Sequence, residues 1–466
     1  MLFRSTSIDV LFVNWRDVSH PEGGGSERYV HRVAEGLAAV GLRVEMFCAA
    51  HDRAPAEEEI GGVRIVRRGG RFGVYPRALL HVLRSRPRLV VDVQNGLPFA
   101  STLVTRRPVV VLVHHVHREQ WPIVFGRLAG AVGWWLESQV APRLYRRSSY
   151  VTVSAATAEE LTGLGIARER IRVVPNGVEP PPPVPAPRSG EPRLVVLGRL
   201  VPHKRVEHAL EVVARLHGRW PGLRLSVVGE GWWEAALRAR AAELGVTDLV
   251  DFRGYVDEHT KHAELARAWV QLCPSVKEGW GLVVTEAGTH GVPTVGYRSA
   301  GGLRDSIVDG RTGLLVDDLD EMVAAVDRLL ADDAARRAMG AAAVRHAATY
   351  TWPASVSGFA AALATALREG ALRGGAPRGS AVLPVLQDVD LLVGSLLDRA
   401  VRVGGRLDAG HRGHTDTGAS AERQQQREDG LHSGTRFRRG RRRSVTVDAE
   451  SMIHNAAPTT TPSAHA

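Results

Sequence analysis

Glu278 and Glu286 are the two residues whose type and spacing in this chain most strongly indicate a chemical role. They flank a glycine-rich turn, Gly279-Trp280-Gly281, and an apolar run that begins at Leu282. We expect Glu278 to lie in a loop and Glu286 within the first turns of a helix, both facing the space before the helix N-terminus. Backbone amides there can bind a phosphate, while carboxylates bind the hydroxyls of a sugar or ribose.

The apolar run sets these glutamates apart from ordinary surface residues. Glutamates on helices are usually solvated, but Leu282-Val283-Val284 predicts that this helix packs against a core. Glu286 would then be partly buried, where an unpaired carboxylate is costly and a ribose diol would satisfy it. The pattern therefore favours a site for an activated sugar.

Two cations, Arg199 and Lys204, follow the predicted strand Leu194–Gly198. The carboxyl end of a first strand is where open α/β sheets usually bind ligands. An arginine can hold a diphosphate as a bidentate fork, and a lysine as a point charge. The alternative is two solvated surface cations. It is weakened because the chain has only three lysines, Lys204, Lys261 and Lys277.

A glycine run, Gly23-Gly24-Gly25, lies between a predicted strand and a predicted helix. Glycine removes side chains where a backbone must approach a ligand closely, so these amides can face a diphosphate at the helix N-terminus. The run is not the dinucleotide-binding fingerprint, because the third glycine would fall at Arg28. A tight turn without a ligand is the alternative.

Three histidines, His114, His115 and His117, follow another predicted strand end. Such a cluster suits metal binding, proton transfer or contact with sugar hydroxyls. Zinc would need a further ligand at a suitable spacing, and because none is evident we expect no metal. His114 is nearest to the strand end and is the best functional candidate, whereas at least one of the others is expected to be structural.

Predicted strands and helices alternate along residues 8–370, which indicates parallel, doubly wound sheets. A proline-rich stretch, Glu179–Pro192, interrupts the alternation and predicts an extended linker. A cleft between the domains on either side of it is the expected ligand site. The predicted divisions are a domain at 1–178, the linker at 179–192, a second domain at 193–350, a helix at 351–370 that packs back toward the first domain, and a mostly disordered basic tail at 371–466.

The composition narrows the class of protein. The chain has 466 residues, 44% of them hydrophobic, which suits two or three globular domains. Cys48 and Cys273 lie in apolar runs and predict reduced core residues in a cytoplasmic protein. Residues 1–7 lack the pattern of a signal peptide, and no apolar run is long enough for a membrane-spanning helix.

The chain carries a net charge of +10, and its basic residues are almost all arginine. This charge suits polyanionic partners such as nucleotide diphosphates or acidic lipid headgroups, and by itself it does not indicate nucleic acid. The arginine-rich segment 436–443 could attract acidic lipid or nucleic acid, but a solvated tail is the favoured interpretation.

Taken in order, the motifs resemble those of the family 4 glycosyltransferases, which have the GT-B fold of two Rossmann-like domains facing each other across a cleft. The resemblance covers roughly residues 8–370, and the ordered set is specific although each segment alone is common. Trp280 stands where the family often has Phe, and His115 where an Asp often follows the histidine. The matching segments are Gly24–Arg28, His114, Val174–Val178, Gly198–Leu200 with Lys204, Val228–Gly231, Phe252–Val256, Glu278–Glu286, Gly301-Gly302 and Asp309–Val316.

The resemblance implies a retaining, metal-independent hexosyltransferase that uses a UDP- or GDP-linked sugar as co-substrate and needs no other cofactor. It implies that Glu278 contacts the donor sugar, that Glu286 contacts the ribose, and that His114 lies near the reacting sugar. Glu278 and His114 are the candidate catalytic residues. The implied diphosphate contacts are Arg199, Lys204, Gly24 and Gly25, and the implied backbone contacts to the donor are Gly279, Trp280, Gly281 and Leu282.

The resemblance also assigns the acceptor to the first domain and the nucleotide sugar to the second. The expected acceptor is a glycolipid or polysaccharide of the cell envelope, and no nucleic acid is expected. The segment Glu119–Arg147 combines aromatic and cationic residues, so it could bury a lipid-linked acceptor or rest on a membrane surface. An ordinary core helix with a basic end is the favoured alternative.

Two other functions stay open at this level. One is a GT-B-fold sugar-nucleotide epimerase, which would release an altered nucleotide sugar. The other is a protein that holds a nucleotide sugar without turnover. The ordered transferase motifs argue against the first, and the joint presence of Glu278, Arg199, Lys204 and His114 argues against the second.

Overall fold

A computed structural model describes residues 8–183 and 187–373 of the chain. These residues form two α/β sheets, one after the other along the chain, as the alternation of elements predicts. The predicted tail beyond residue 373, including segment 436–443, and residues 1–7 lie outside the described part. The predicted domain boundaries stay predictions.

The first sheet is parallel except at one edge. Its strands are β1 Val10–Val13, β2 Val44–Cys48, β3 Glu57–Ile60, β4 Val63–Arg67, β5 Leu89–Val93, β6 Val109–Val113, β7 Ser149–Thr152 and β8 Ile171–Val173. They lie in the order β3-β4-β2-β1-β5-β6-β7-β8, and only β3 and β4 pair in antiparallel fashion. The helices of this half are α1 Gly25–Ala39, α2 Val74–Ser85, α3 Gln120–Trp135, α4 Ala141–Leu144 and α5 Ala155–Gly163.

The antiparallel edge is the part of this sheet that the sequence pattern does not predict. Strand β3 is Glu57-Glu58-Glu59-Ile60, which lacks the apolar run of a buried strand. Charged side chains suit an exposed edge, because they discourage pairing with another chain. By contrast, β1 is buried on both faces: Val10 and Phe12 enter one core, and Leu11 and Val13 enter the other.

The second sheet is entirely parallel. Its strands are β9 Arg193–Leu197, β10 Arg224–Val228, β11 Val250–Gly254, β12 Val270–Cys273, β13 Thr294–Tyr297 and β14 Gly313–Val316, in the order β11-β10-β9-β12-β13-β14. The chain order reverses between β9 and β12, so the loops after these two strands leave side by side. The helices are α6 Val206–Leu216, α7 Glu234–Glu243, α8 Glu258–Arg267, α9 Leu282–Thr289, α10 Leu303–Ser306, α11 Leu319–Ala331, α12 Asp333–Ala347 and α13 Trp352–Arg373.

Helix α13 follows the second sheet but packs on the first. The ring of Phe359 stacks on Phe12 of β1, with 6.0 Å between centroids. The Ser355 hydroxyl donates a 2.7 Å hydrogen bond to the carbonyl of Pro175. The last helix therefore ties the two halves of the molecule together.

Helix α3 corrects two expectations for the segment after His117. The helix expected within Glu119–Arg147 is interrupted at Gly126 (φ 74°, ψ 179°) and followed by a π turn, Leu136–Val140. The favoured interpretation as a core helix is wrong, because Leu128 is 88% exposed and Val132 59%.

Two further sequence expectations bear on the described residues. Cys48 and Cys273 are buried free thiols, as their apolar surroundings predict. Within 8–183 and 187–373, every helix is too short or too polar to span a bilayer.

Candidate active site

The predicted site residues meet where the loops after β9 and β12 face those after β1 and β6. Arg199 and Lys204 follow β9, and Glu278 follows β12, so they leave the second sheet at its switch point. Gly25 follows β1 and His114 follows β6, at the facing edge of the first sheet. The cleft thus receives residues from both sheets.

Glu278 and Lys204 form an ion pair in this structure. The Lys204 Nζ lies 2.5 Å from Glu278 Oε1, which also accepts a 2.7 Å hydrogen bond from the Ser275 hydroxyl. Burial alone would raise the pKa of Glu278, but the charge and hydrogen bond of Lys204, with help from Ser275, lower it overall. Glu278 is therefore ionised, and the lysine assigned to the diphosphate and the glutamate assigned to the sugar are direct neighbours.

The loop that carries Glu278 is held by backbone contacts. The Glu278 amide donates to Ala300 (2.8 Å), and the Gly302 amide donates to the Glu278 carbonyl (3.0 Å). A side chain on Gly302 would collide with the carbonyl of Gly279, and one on Gly279 would collide with the carbonyl of His114. The glycines are needed because three backbone segments converge here.

The turn that leads into α9 presents its backbone to the cleft. Gly281 has φ 87°, a conformation that favours glycine, and it caps α9. The Trp280 side chain is 3% exposed and packs on Tyr350, with 4.7 Å between ring centroids. The Trp280 side chain therefore does not face the cleft, and only the Trp280 backbone can contact a ligand. The amides of Leu282 and Val283, the first two of α9, have no intrahelical acceptor and can bind an anion.

Glu286 is paired, which corrects the expectation of an unpaired buried carboxylate. Its Oε1 accepts from Lys261 Nζ at 2.9 Å and from Arg28 Nη1 at 3.2 Å. The side chain of Glu286 is 11% exposed, so these cations balance its charge in a poorly solvated place. A ribose is thus not needed to neutralise the carboxylate.

Lys261 is a site residue that the motif search does not find. It lies on α8, away from every motif, and the one sequence feature that could have marked it is the scarcity of lysine. Lys204 pairs with Glu278, Lys261 with Glu286, and Lys277 with Glu160 of α5. All three lysines of the chain therefore neutralise carboxylates around the cleft.

The glycine loop differs from its prediction at Gly24. The Gly24 amide donates to the carboxylate of Glu27 at 2.8 Å, and the Ser26 hydroxyl donates to the same oxygen at 2.8 Å. The Gly24 amide is thus engaged within the chain. Gly25 opens α1, so its amide has no intrahelical acceptor. A Cβ on Gly25 would lie 2.9 Å from Cδ1 of Leu282, which shows how closely the two helix starts approach.

Arg199 lies at the glycine loop. Its Nη1 donates to the Glu22 carbonyl at 3.0 Å, and its Nε lies 3.7 Å from where a Cβ of Gly24 would be. Arg16, which the sequence does not single out, is also in this region and forms a 2.5 Å ion pair with Glu22. Cations from both halves of the molecule therefore surround the loop.

His114 is a buried, neutral imidazole. It is 5% exposed, its ring meets Tyr29 edge-on at 5.4 Å, and its Nε2 has no hydrogen-bond partner within the described ranges. Burial lowers the pKa of His114 to about 4, against a smaller opposite effect of Glu27. An unpaired buried nitrogen is costly, so Nε2 is suited to a hydrogen bond with a bound hydroxyl.

The other two histidines have partners in the chain. His117 Nδ1 lies 2.9 Å from Oε1 of the buried Glu137, and His115 Nε2 lies 3.2 Å from the Gln120 side-chain oxygen. His117 is thus a structural residue. Across 8–183 and 187–373, no three His, Cys, Asp or Glu side chains are grouped so that they could hold a metal ion.

Two family models match successive parts of the chain. The model described as Glycosyltransferase Family 4 matches residues 23–180, and the one described as Glycosyl transferases group 1 matches residues 182–346. Together the two models cover every strand of both sheets except β1.

Full-length relatives and a solved structure agree with the models. The chain is 30% identical over 384 residues to a D-inositol 3-phosphate glycosyltransferase from Stackebrandtia nassauensis, covering 71% of this chain and 84% of the relative. It is 27% identical over 381 residues to a glycogen synthase from Mycobacterium tuberculosis, covering 74% and 91%. The crystal structure of Anabaena HepE in complex with UDP-glucose matches with a TM-score of 0.63 at 16% identity, covering 77% and 100%.

Proposed function

The chain belongs to the family 4 glycosyltransferases, and from this membership we propose that it transfers a hexosyl group from a UDP- or GDP-linked sugar to an acceptor hydroxyl, with retention of configuration. The acceptor in this proposal is a cell-envelope glycolipid or polysaccharide, the reaction needs no metal, and the protein works in the cytoplasm. Membership of the family establishes a glycosyltransferase, and the donor, stereochemistry and acceptor are the proposed parts.

The observation that carries this proposal is the Lys204–Glu278 pair at the β9/β12 switch point, with Arg199 on the same loop as Lys204. A transferase must stabilise the charge that develops on the departing nucleotide diphosphate. Lys204 and Arg199 are cations placed at the strand end where such a ligand binds. Glu278, held ionised by Lys204, can then accept hydrogen bonds from donor-sugar hydroxyls.

Glu286 and His114 complete the proposed donor site. Both cations on Glu286 reach Oε1, so Oε2 can accept a hydrogen bond from the ribose diol. The neutral His114 offers Nε2 to the donor sugar. In this scheme the leaving phosphate assists removal of the acceptor proton during attack on the same face of the sugar.

The names of the similar proteins support the donor class. HepE was solved with UDP-glucose, and the two relatives carry the names of a glycogen synthase and a glycosyltransferase of D-inositol 3-phosphate. A donor of the nucleotide-sugar class is therefore the first to test. We expect one of the UDP-, GDP- and ADP-sugars to raise the melting temperature of the protein by mass action.

Substitution of the ion pair tests the site with the donor so identified. Lys204→Ala and Glu278→Ala should each lower donor hydrolysis and transfer by on the order of a hundredfold or more, as for loss of one charge-stabilising group in a closed site. Arg215→Ala is the control, because Arg215 forms an exposed pair with Asp320 on the outside of the second domain. Unchanged turnover in both site variants would overturn the assignment, and release of an altered free nucleotide sugar would indicate an epimerase.

A further inference from the structure

Helix α3 is a helical hairpin and not a single rod. In a continuous helix, Trp121 and Gly130 would be about 13 Å apart along the axis. Instead, a Cβ on Gly130 would lie 2.9 Å from the Trp121 carbonyl oxygen. The chain therefore turns at Gly126, and the segment after it folds back on the segment before it.

The base of the hairpin is firmly anchored. The Trp121 indole is 9% exposed and donates a 2.7 Å hydrogen bond to Glu137, which is 1% exposed and also accepts from the His117 amide. A side chain on Gly133 would collide with the Trp121 ring, so the two segments pack face to face. The hairpin is thus a built feature with a buried polar anchor.

The outer surface of the hairpin, from its tip to its second segment, is apolar and faces water. Leu128 is 88% exposed, Val132 59%, Trp135 56%, Val124 52%, Ile123 45% and Phe125 44%. Phe72, 69% exposed, joins this surface through Arg71, whose guanidinium lies 5.7 Å from the rings of both Phe72 and Phe125. Contiguous exposed apolar side chains of this kind mark an interaction surface.

The segment that forms the hairpin and continues into α4 is strongly basic. From residue 120 to 148 the one carboxylate is the buried Glu137, whereas Arg127, Arg143, Arg146 and Arg147 are all exposed. None of these four arginines forms an ion pair with any residue that the structure describes. Arg143 lines a surface groove together with Trp135, Val140 and Leu144, so a cation lies among apolar side chains there.

We propose that this hairpin surface, formed by the tip Ile123–Leu128 with Val132 and Trp135, docks on a bilayer that carries anionic lipids. Aliphatic and aromatic side chains would enter the headgroup–acyl boundary while the arginines contact lipid phosphates. The charge decides between occupants, because a second copy of this chain would present the same arginines and repel them.

The position of the hairpin beside the donor site indicates what membrane docking would do for the reaction. Helix α3 contacts the turn Pro202–Lys204, which carries the lysine of the donor site. A lipid-linked acceptor held at the docked membrane would therefore lie beside the cleft. This last step rests on the proposed function, whereas the docking itself does not.

Co-sedimentation of the full chain with lipid vesicles tests the proposal. The wild-type protein should bind vesicles of phosphatidylglycerol and phosphatidylcholine, and bind pure phosphatidylcholine vesicles much more weakly. Leu128→Asp should weaken binding to the anionic vesicles by about tenfold or more, because it places a charge on the most exposed apolar residue of the tip. Val344→Asp is the matched control, since Val344 is an exposed valine on α12 of the other half.

The outcomes separate this surface from other sources of binding. Loss of binding in Leu128→Asp with retention in Val344→Asp supports the proposal. Equal binding by both variants would place any membrane contact elsewhere, such as the arginine-rich segment 436–443, and would overturn it. The proposal would also be overturned if the wild-type protein bound both vesicle types equally. The same holds if the wild-type protein were a dimer in solution that Leu128→Asp dissociates. Because no sugar nucleotide is present, the result does not depend on the transferase proposal.

Discussion

The lysine–glutamate pairs are the main features of this protein at the scale of residues. Removing one partner from a buried ion pair leaves an uncompensated charge, which typically costs about 3–5 kcal/mol. Lys261 and Glu286, 9% and 11% exposed, form a pair of this kind, but Arg28 would still neutralise Glu286 if Lys261 were removed. The Lys204–Glu278 pair also lowers the pKa of Glu278 and holds that carboxylate ionised, so stability and function depend there on the same side chains.

The buried imidazole of His114 predicts how the stability of the protein depends on pH. Its pKa is about 4 in the folded protein, against 6.5 as the ordinary value. Between these values the unfolded chain binds a proton that the folded chain does not, so stability is full above pH 6.5 and falls as the pH falls. From pH 6.5 to pH 5 this should cost about 1.5 kcal/mol of unfolding free energy.

Urea unfolding at these two pH values measures the effect. His114→Gln should lose about 1.5 kcal/mol less than the wild-type protein over the same interval, because glutamine does not titrate. His203 and His290, whose pKa values burial also lowers to about 4, are present in both proteins and cancel. Equal losses would show that His114 is not held neutral.

At the scale of elements, the loop between β12 and α9 decides where the site residues lie. It passes between the strand-end backbone at His114 and the turn at Gly302, and its glycines allow that passage. A related protein could therefore keep every charged residue of the site motifs and still lose the site if this loop were displaced.

Gly279→Ala tests the role of the loop. Gly279 does not have a left-handed φ, so alanine can adopt its conformation and the substitution isolates the contact with the His114 carbonyl. Overpacking of this kind typically costs about 1–3 kcal/mol, and we expect donor turnover to fall by about tenfold or more. Gly163→Ala is the control, because a Cβ there meets nothing within 4 Å. Wild-type turnover in Gly279→Ala would mean that the loop position does not matter.

At the scale of the whole molecule, α5 joins the two halves through its N-terminus. The amides of Ala155 and Ala156 donate to the carboxylate of Asp305, at 3.1 and 3.0 Å, and Lys277 pairs with Glu160 on the same helix. A carboxylate at a helix N-terminus is favoured by the exposed amides and the helix dipole. This cap is supplied by the other half, so it stabilises α5 only while the cleft keeps its present width.

Asp305→Ala should therefore loosen the cleft. A helix cap of this kind is worth about 0.5–2 kcal/mol, and we expect nucleotide-sugar affinity to weaken by up to about tenfold in a calorimetric titration. Asp332→Ala is the matched control, because Asp332 caps α12 through the Ala335 amide at 2.8 Å within one half. If both variants bound the donor equally, the cap across the cleft would have no role in binding.

The amino-acid sequence by itself determined the repeated α/β pattern, the residue types at the strand ends and the membership of a family. These follow from local periodicity and from short motifs, which neighbouring residues set without help from distant ones. The sequence pattern does not predict the edge strand β3, because its glutamates show no such periodicity. The core-helix interpretation of α3 failed because apolar residues look alike whether they are buried or exposed.

Only the tertiary structure decided which of these residues pair with one another. Arg28 reaches Glu286 across 258 residues, Lys204 reaches Glu278 across 74, and Asp305 reaches Ala155 across 150. Such pairs depend on the order of strands in each sheet and on how the two halves face each other, which no local pattern contains. The sequence could therefore identify Glu286 as a site residue, but the cations that neutralise it become visible only once the chain is folded.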